Sequence, residues 1–269
     1  MSLLERLSFN QITADPWSLE QVVRNCVENN FPYVAAWRHK LDGDAAQASA
    51  LIRSAGLRVS SLCRGGWFSA PTADERRQRI ADNRLAIEQA AQLEAPVLVI
   101  VSGPANGQTL EDARATVFDG LLEVLPDAEK AGVILGIEPL HPMYAAERSV
   151  VVTLRQANDM VERMASAAAG VVVDAFHVWW DPEVMAQIAR ARGKIVGFHV
   201  SDWAVPLPGI LMGRSMMGDG VIALRELREA VDAAGYDGPI EVEIFNEEIW
   251  QHADEGLMEL MKRRFVERV

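Results

Sequence analysis

Cysteine is nearly absent: Cys26 and Cys63 are the only two among 269 residues. That excludes a disulfide scaffold and leaves too few thiolates for a cysteine zinc site. No stretch approaches the ~18 uninterrupted apolar residues of a membrane span, so no membrane association is expected. Cations are also short, with 26 Lys+Arg against 38 Asp+Glu and a formal net charge of −12. An acidic chain is a poor match for nucleic acid or an anionic membrane surface, although it remains compatible with a local basic pocket. The start, MSLLERLSFNQ, carries acid and amide too early for a signal peptide, and a cytoplasmic location is expected.

Apolar sequence is plentiful, at 49% of the chain, and its arrangement alternates. Short, nearly continuous apolar runs predict strands at 7–9, 33–37, 57–62, 97–101, 133–138, 171–175, 195–200 and 240–245. Between them, helical periodicity predicts helices at 19–28, 45–55, 74–93, 110–131, 154–168, 182–192, 224–234 and 256–268. Ser18 with Gln21 reads as a capping box, and Gly56, Gly132 and Gly235 sit where helix C-termini belong. Eight strands alternating with eight helices is the count of an α/β (β/α)8 TIM barrel. A doubly wound sheet is the competing arrangement, but the first strand is followed by NQITADPWS, which lacks phosphate-cradling glycines. No linker or low-complexity tract interrupts residues 1–269, so a single barrel domain is expected over the whole chain.

In such a barrel the active site lies at the C-terminal ends of the strands. The fifth run, VILGIEPLHP, ends in Glu138; the sixth, GVVVDAFHVWWDP, in Asp174; the seventh, IVGFHVSDW, in His199; the eighth, IEVEIFNEE, carries Glu243. Neighbouring strands lie ~4.8 Å apart, so these four side chains can converge on one point. Three carboxylates and an imidazole cannot share a dry pocket without neutralisation, which predicts one divalent cation. Mixed oxygen and nitrogen donors without thiolate suit Mn²⁺, Mg²⁺ or Co²⁺, with Zn²⁺ also compatible.

This set resembles the single-metal site of the xylose-isomerase-like TIM barrels, a superfamily of sugar phosphate isomerases and epimerases. Its members include ketose 3-epimerases, keto-inositol isomerases and dehydratases, dehydroshikimate dehydratases and endonuclease IV. The pieces GIEPLHP, VVVDAFHVWWDP, FHVSDW and GDGVIALRELREAVDAAGYDGPIEVEIFNEE carry the likeness, with Asp174 and His177 spaced as Asp-x-x-His and the turn Gly218-Asp219-Gly220 as further marks. The resemblance implies that Glu138, Asp174, His199 and Glu243 hold the metal. It also implies that Glu138 and Glu243 form an acid/base pair, and that His177 bonds a substrate oxygen. A sugar or cyclic-polyol substrate would then be isomerised or epimerised by proton abstraction beside a carbonyl, through a metal-stabilised enediolate.

The chain also departs from the 3-epimerases. Where they carry a second glutamate, six residues after the first, it has Tyr144; where they carry a substrate arginine, six residues after the metal histidine, it has Val205. In the apolar loop that follows, Arg214 is the cation available to replace it. His141, three residues past Glu138, is a candidate general base near pH 7. A base there suits a lyase acting on a keto-sugar, as in the superfamily's C-glycoside-cleaving enzymes, which work with a small second subunit. Arg64 is a candidate for gripping a carboxylate or phosphate, and Trp203, with Trp37, Trp67, Trp179, Trp180 and Trp250, for an apolar substrate wall. Asp202 is expected to orient His199. A sugar-binding barrel without turnover is the non-enzymatic alternative, and a homo-oligomer is compatible with every reading. The endonuclease branch is disfavoured by five histidines and the net charge of −12.

Overall fold

Val97–Val101 is buried at every position, as a strand must be when one face meets a barrel interior and the other a layer of helices. The computed structural model describes residues 2–41, 44–70, 72–253 and 255–269. Its parallel strands are β1 Leu7–Asn10, β2 Tyr33–Trp37, β3 Arg58–Gly66, β4 Val97–Val101, β5 Ile134–Glu138, β6 Ala169–Asp174 and β7 Ile195–Val200. Two short antiparallel strands follow, β8 Asp202–Trp203 and β9 Arg214–Ser215, and then β10 Ile240–Val242. β1 to β7 lie side by side in chain order, and β10 sits between β7 and β1 to close an eight-stranded barrel. Helices α1 Leu19–Glu28, α2 Ala45–Ser54, α3 Ala73–Leu93, α4 Leu110–Ala131, α5 Leu154–Met164, α6 Ala175–Val178, α7 Val184–Arg190, α8 Leu224–Ala233, α9 Glu247–Gln251 and α10 Glu255–Arg268 complete the (β/α)8 TIM barrel. Among the described residues, no helix is long and apolar enough to cross a membrane.

Strand parity positions the site. Ile137, Val173, Phe198 and Val242 belong to the main core between barrel and helices. The residue after each therefore turns to the barrel axis, and those residues are Glu138, Asp174, His199 and Glu243. Register does the rest: Asp174 pairs with His199, and His199 with Glu241, on adjacent strands.

Most expected elements appear, with shifts at their ends. The capping box forms, Ser18 Oγ accepting from Gln21 N at 3.3 Å and Gln21 Oε1 from Ser18 N at 2.8 Å. The helix expected at 154–168 stops at Met164, because Ala165 turns left-handed at φ 50° and the chain re-enters the sheet at Ala169. The strand expected to reach 245 ends at Val242, where Ile244 N bonds Thr13 Oγ1 instead of a neighbouring strand. β3 runs on to Gly66, four residues past the expected end, through an irregular register with β4 between Cys63 and Gly65. Gly66 has φ +104°, and a Cβ there would lie 1.8 Å from Val101 O, so only glycine permits this approach.

Candidate functional site

Glu138, Asp174, His199 and Glu243 each offer a donor atom, and these atoms all lie within 4.8 Å of one another. All four residues are buried. His199 Nδ1 faces the cluster, 3.0 Å from Glu138 Oε1 and 3.7 Å from Glu243 Oε2. Despite these distances, Glu138 Oε1 and both His199 nitrogens lack hydrogen-bond alignment with any partner. Buried polar atoms gathered around a point yet not bonded to one another match a cation's donor set better than an ion-pair cluster. The residues present fit a divalent metal.

A second tier holds these donors from below. His199 Nε2 lies 3.2 Å from Glu241 Oε2, on the side of the ring away from the cluster. Glu241 also accepts from Asn10 Nδ2 at 3.1 Å and from Ser60 Oγ at 2.8 Å. Asn10 Nδ2 reaches Glu243 Oε1 at 3.3 Å as well, while its Oδ1 accepts from Trp37 Nε1 and Ile12 N, which settles the orientation of the amide. A carboxylate behind a ligating histidine holds the ring and its tautomer. The sequence reading assigned that task to Asp202. The structure corrects it: Asp202 accepts from Gly218 N at 2.8 Å and Ile222 N at 3.0 Å and so closes the loop before α8. Glu241 was missed, although it lies two residues before Glu243 and period-two alternation puts both on the inward face.

Arg214 is the buried cation of the site. Its Nη1 lies 2.8 Å from Asp174 Oδ2 and 3.0 Å from Glu243 Oε2, and its Nη2 is 3.0 Å from His177 Nε2. The rings of Phe176 and Phe245 flank the guanidinium at 4.9 and 5.3 Å. These contacts separate the two glutamates electrostatically. Burial raises the Glu138 carboxyl above its ordinary range. Burial acts on Glu243 too, but Arg214 and then His199 overcome it and hold Glu243 below that range. Burial likewise opposes a charge on His199, yet Glu241, Glu138 and Glu243 outweigh it and raise the imidazole well above its usual value. His177 has no such compensation, and burial lowers it to about 3. It is therefore neutral: Nε2 accepts from Arg214, and the proton sits on Nδ1, which has no hydrogen-bond partner among the described residues.

A narrow cleft of about 40 Å³ adjoins this cluster. Glu138, Glu243, His177, Arg214 and Arg64 line it, as do Trp37, Trp67 and Tyr144. Arg148 also lines it, a residue the sequence reading did not single out. A larger hollow of about 470 Å³ between β9, α9 and α10 meets none of the four clustered donors. Two expected site residues lie behind the cleft wall. Trp203 stacks on Phe176 at 4.8 Å, and His141 sits against Trp203 at 4.9 Å and Trp180 at 5.5 Å. His141 Nδ1 accepts from Met143 N at 3.2 Å, so its one free lone pair is already used and burial lowers its pKa. That placement suits a wall residue and not the general base expected over the metal.

The comparisons with known proteins match this fold. A family profile described as xylose isomerase-like TIM barrel matches residues 23–264. Protein SMc04130 from Sinorhizobium meliloti 1021 superposes with a TM-score of 0.95 at 40% identity, covering 98% of both chains. The IolI protein, solved with a zinc atom bound, superposes at 0.86 over 98% of both chains, and at 21% identity that likeness is one of fold. L-ribulose-5-phosphate 3-epimerase UlaE of Salmonella typhi is 25% identical over 217 residues, 77% of this chain and 73% of its own. With the profile spanning nearly all of a barrel whose rim carries this donor set, the chain belongs to the xylose isomerase-like TIM barrel family.

Proposed function

We propose that this protein is a divalent-metal-dependent isomerase or epimerase of a keto-sugar or keto-inositol, moving a proton on the carbon beside the carbonyl. The observation that carries this reading is the clustered set Glu138, Asp174, His199 and Glu243, whose two glutamates line one cleft and are pushed to opposite protonation tendencies. Two carboxyls tuned apart in one site are suited to give and take a proton. UlaE, the 3-epimerase relative, supports the reaction class.

A divalent cation at the cluster supplies Lewis acidity that polarises the carbonyl and its neighbouring hydroxyl and acidifies the C–H between them. Mn²⁺, Mg²⁺ or Co²⁺ suits three carboxylates and an imidazole, and zinc is the ion bound in IolI. Glu243, kept ionised by Arg214, takes the carbon-bound proton. Glu138, whose burial favours the protonated form, returns one from the other side. Asp174 and His199 hold the metal. The unpaired Nδ1–H of His177 donates to a substrate oxygen, and Arg214 orders Asp174, Glu243 and His177 about the reacting carbons.

Deuterium exchange tests this directly. Mn²⁺-loaded protein in D₂O, given a panel of ketoses, keto-inositols and 3-oxo-glycosides, is expected to wash deuterium into the carbon beside one carbonyl. Chelator should stop the exchange and Mn²⁺ or Co²⁺ restore it. Product mass then separates an isomerase from a lyase, which loses water or an aglycone after the same first step. Full exchange by protein shown to be metal-free would overturn the reading.

A further inference from the structure

The wall of the cleft opposite the metal donors carries two guanidinium groups, Arg64 from the end of β3 and Arg148 from the loop after β5. Both are partly buried, and neither side chain makes an ion pair or a hydrogen bond among the described residues. Aromatic rings support them instead. The Arg64 guanidinium carbon lies 3.8 Å from the centre of the Trp67 ring, and that of Arg148 6.0 Å from the Tyr144 ring. A guanidinium laid on an aromatic face keeps the N–H edges of its plane free for a second partner.

The neighbouring arginine shows what satisfaction looks like here. Arg38 grips Asp82 with both terminal nitrogens, at 2.9 and 3.1 Å, and reaches Gln89 through Nε at 2.8 Å. Asp82 is thereby occupied; burial disfavours the charge on Arg64, and Arg148 and Arg38 add to that, while Asp82 opposes it only from a distance beyond an ion pair. Two like charges in one cleft, neither in an ion pair, are costly to keep unless a ligand brings the counter-charge. A chain of net charge −12 has ample carboxylates, yet none among the described residues forms an ion pair with either. The floor of the cleft does not supply the charge either. The Glu138, Asp174, Glu243 and Glu241 carboxylates are answered there by Arg214, His199 and whatever metal is bound.

We propose that the cleft takes a keto-sugar or keto-polyol bearing an oxyanion, a carboxylate or a phosphate, on the part of the molecule away from the reacting carbons, and that Arg64 and Arg148 hold that group. This deepens the metal-dependent isomerase reading and rests on it. Arg64 presents a planar fork matched to two oxygens, and Arg148 closes the same oxyanion from the β5 side. The metal donors then act on the carbonyl end while the arginines fix the remote end, so the substrate spans the cleft in one orientation.

Binding to the Mn²⁺-loaded protein decides the matter. The probes are D-ribulose 5-phosphate and D-ribulose, then D-fructuronate and D-fructose, titrated by calorimetry at low and at 0.5 M salt. At least one anionic ketose is expected to bind tenfold or more tightly than its neutral counterpart, with the advantage shrinking at high salt. The member of the panel that shows it identifies phosphate or carboxylate. In Arg64→Gln/Arg148→Gln protein the advantage should fall to within twofold of parity, while Mn²⁺ affinity, read by EPR, stays unchanged. Equal binding of anionic and neutral ketoses, an advantage that survives the double substitution, or no binding of any probe to Mn²⁺-loaded protein would each overturn the subsite. Deuterium exchange on a neutral ketose without anionic preference leaves the isomerase reading standing and removes only this one. A protein that fails to bind Mn²⁺ removes both.

Discussion

The two walls of the cleft handle charge in opposite ways. On the side built by β5, β6, β7 and β10, charged groups have polar or charged neighbours at close range: Arg214 has Asp174 and Glu243, His199 has Glu138 and Glu241, and Glu241 has Asn10 and Ser60. At the end of β3 and in the loop after β5, Arg64 and Arg148 lie against rings and form no ion pair among the described residues. The donor wall is buried and the arginine wall partly so. A wall whose charges are held close together, with donor atoms left open between them, is pre-organised to hold a cation and direct a proton. A wall with unanswered charge is built to receive it.

The contrast is tested most severely at Glu243. Glu243→Gln keeps the shape but removes the ionised oxygen that Arg214 sustains. Deuterium exchange is expected to drop by about 10³-fold, within the range for loss of a positioned acid or base, with the circular dichroism spectrum unchanged. Exchange within tenfold of the parent protein would move the proton transfer elsewhere.

A smaller effect is expected one tier down. Glu241→Gln removes the charge behind His199 Nε2 without emptying the space, and Mn²⁺ affinity measured by EPR should weaken by about 10–100-fold. An unchanged affinity would mean that strand register alone orients the ring.

Least affected should be His141→Gln, which alters the aromatic layer behind the cleft. A fall in melting temperature of about 2–4 °C, equivalent to about 1 kcal/mol in a chain of this size, is expected. Exchange should stay within about threefold. A hundredfold loss would bring His141 into the chemistry and favour the elimination reading.

Much of this molecule is legible in its sequence, for identifiable reasons. The barrel follows because continuous apolar runs such as Val97–Val101 need cover on both faces, and the intervening amphipathic helices provide it. The four donors were readable because each stands at the end of such a run, where a barrel opens to its substrate. Helix 154–168 was drawn too long because nothing in the local periodicity marks Ala165 as the left-handed residue where the chain turns back. The loop before α8 was misread for a related reason. Asp202 stands three residues past His199, but Gly218 N and Ile222 N, far along the chain, claim its oxygens. Gly220 lets that happen, since a Cβ there would lie 2.3 Å from Trp203 O and 2.5 Å from Asp202 Oδ1.

The sequence by itself determined the alternation of strands and helices, the barrel it implies and the identity of the donors at four strand ends. Local period and residue chemistry suffice for those. The tertiary structure decided the pairings: Glu241 against His199, Arg214 against Asp174 and Glu243, and Arg64 facing the same cleft as Arg148. Each joins residues tens of positions apart, through strand register, barrel closure and the path of a loop, none of which has a local signature. For that reason the clustering of the four strand-end residues was foreseen in outline, while the arginines that share their cleft emerged only once the barrel was closed.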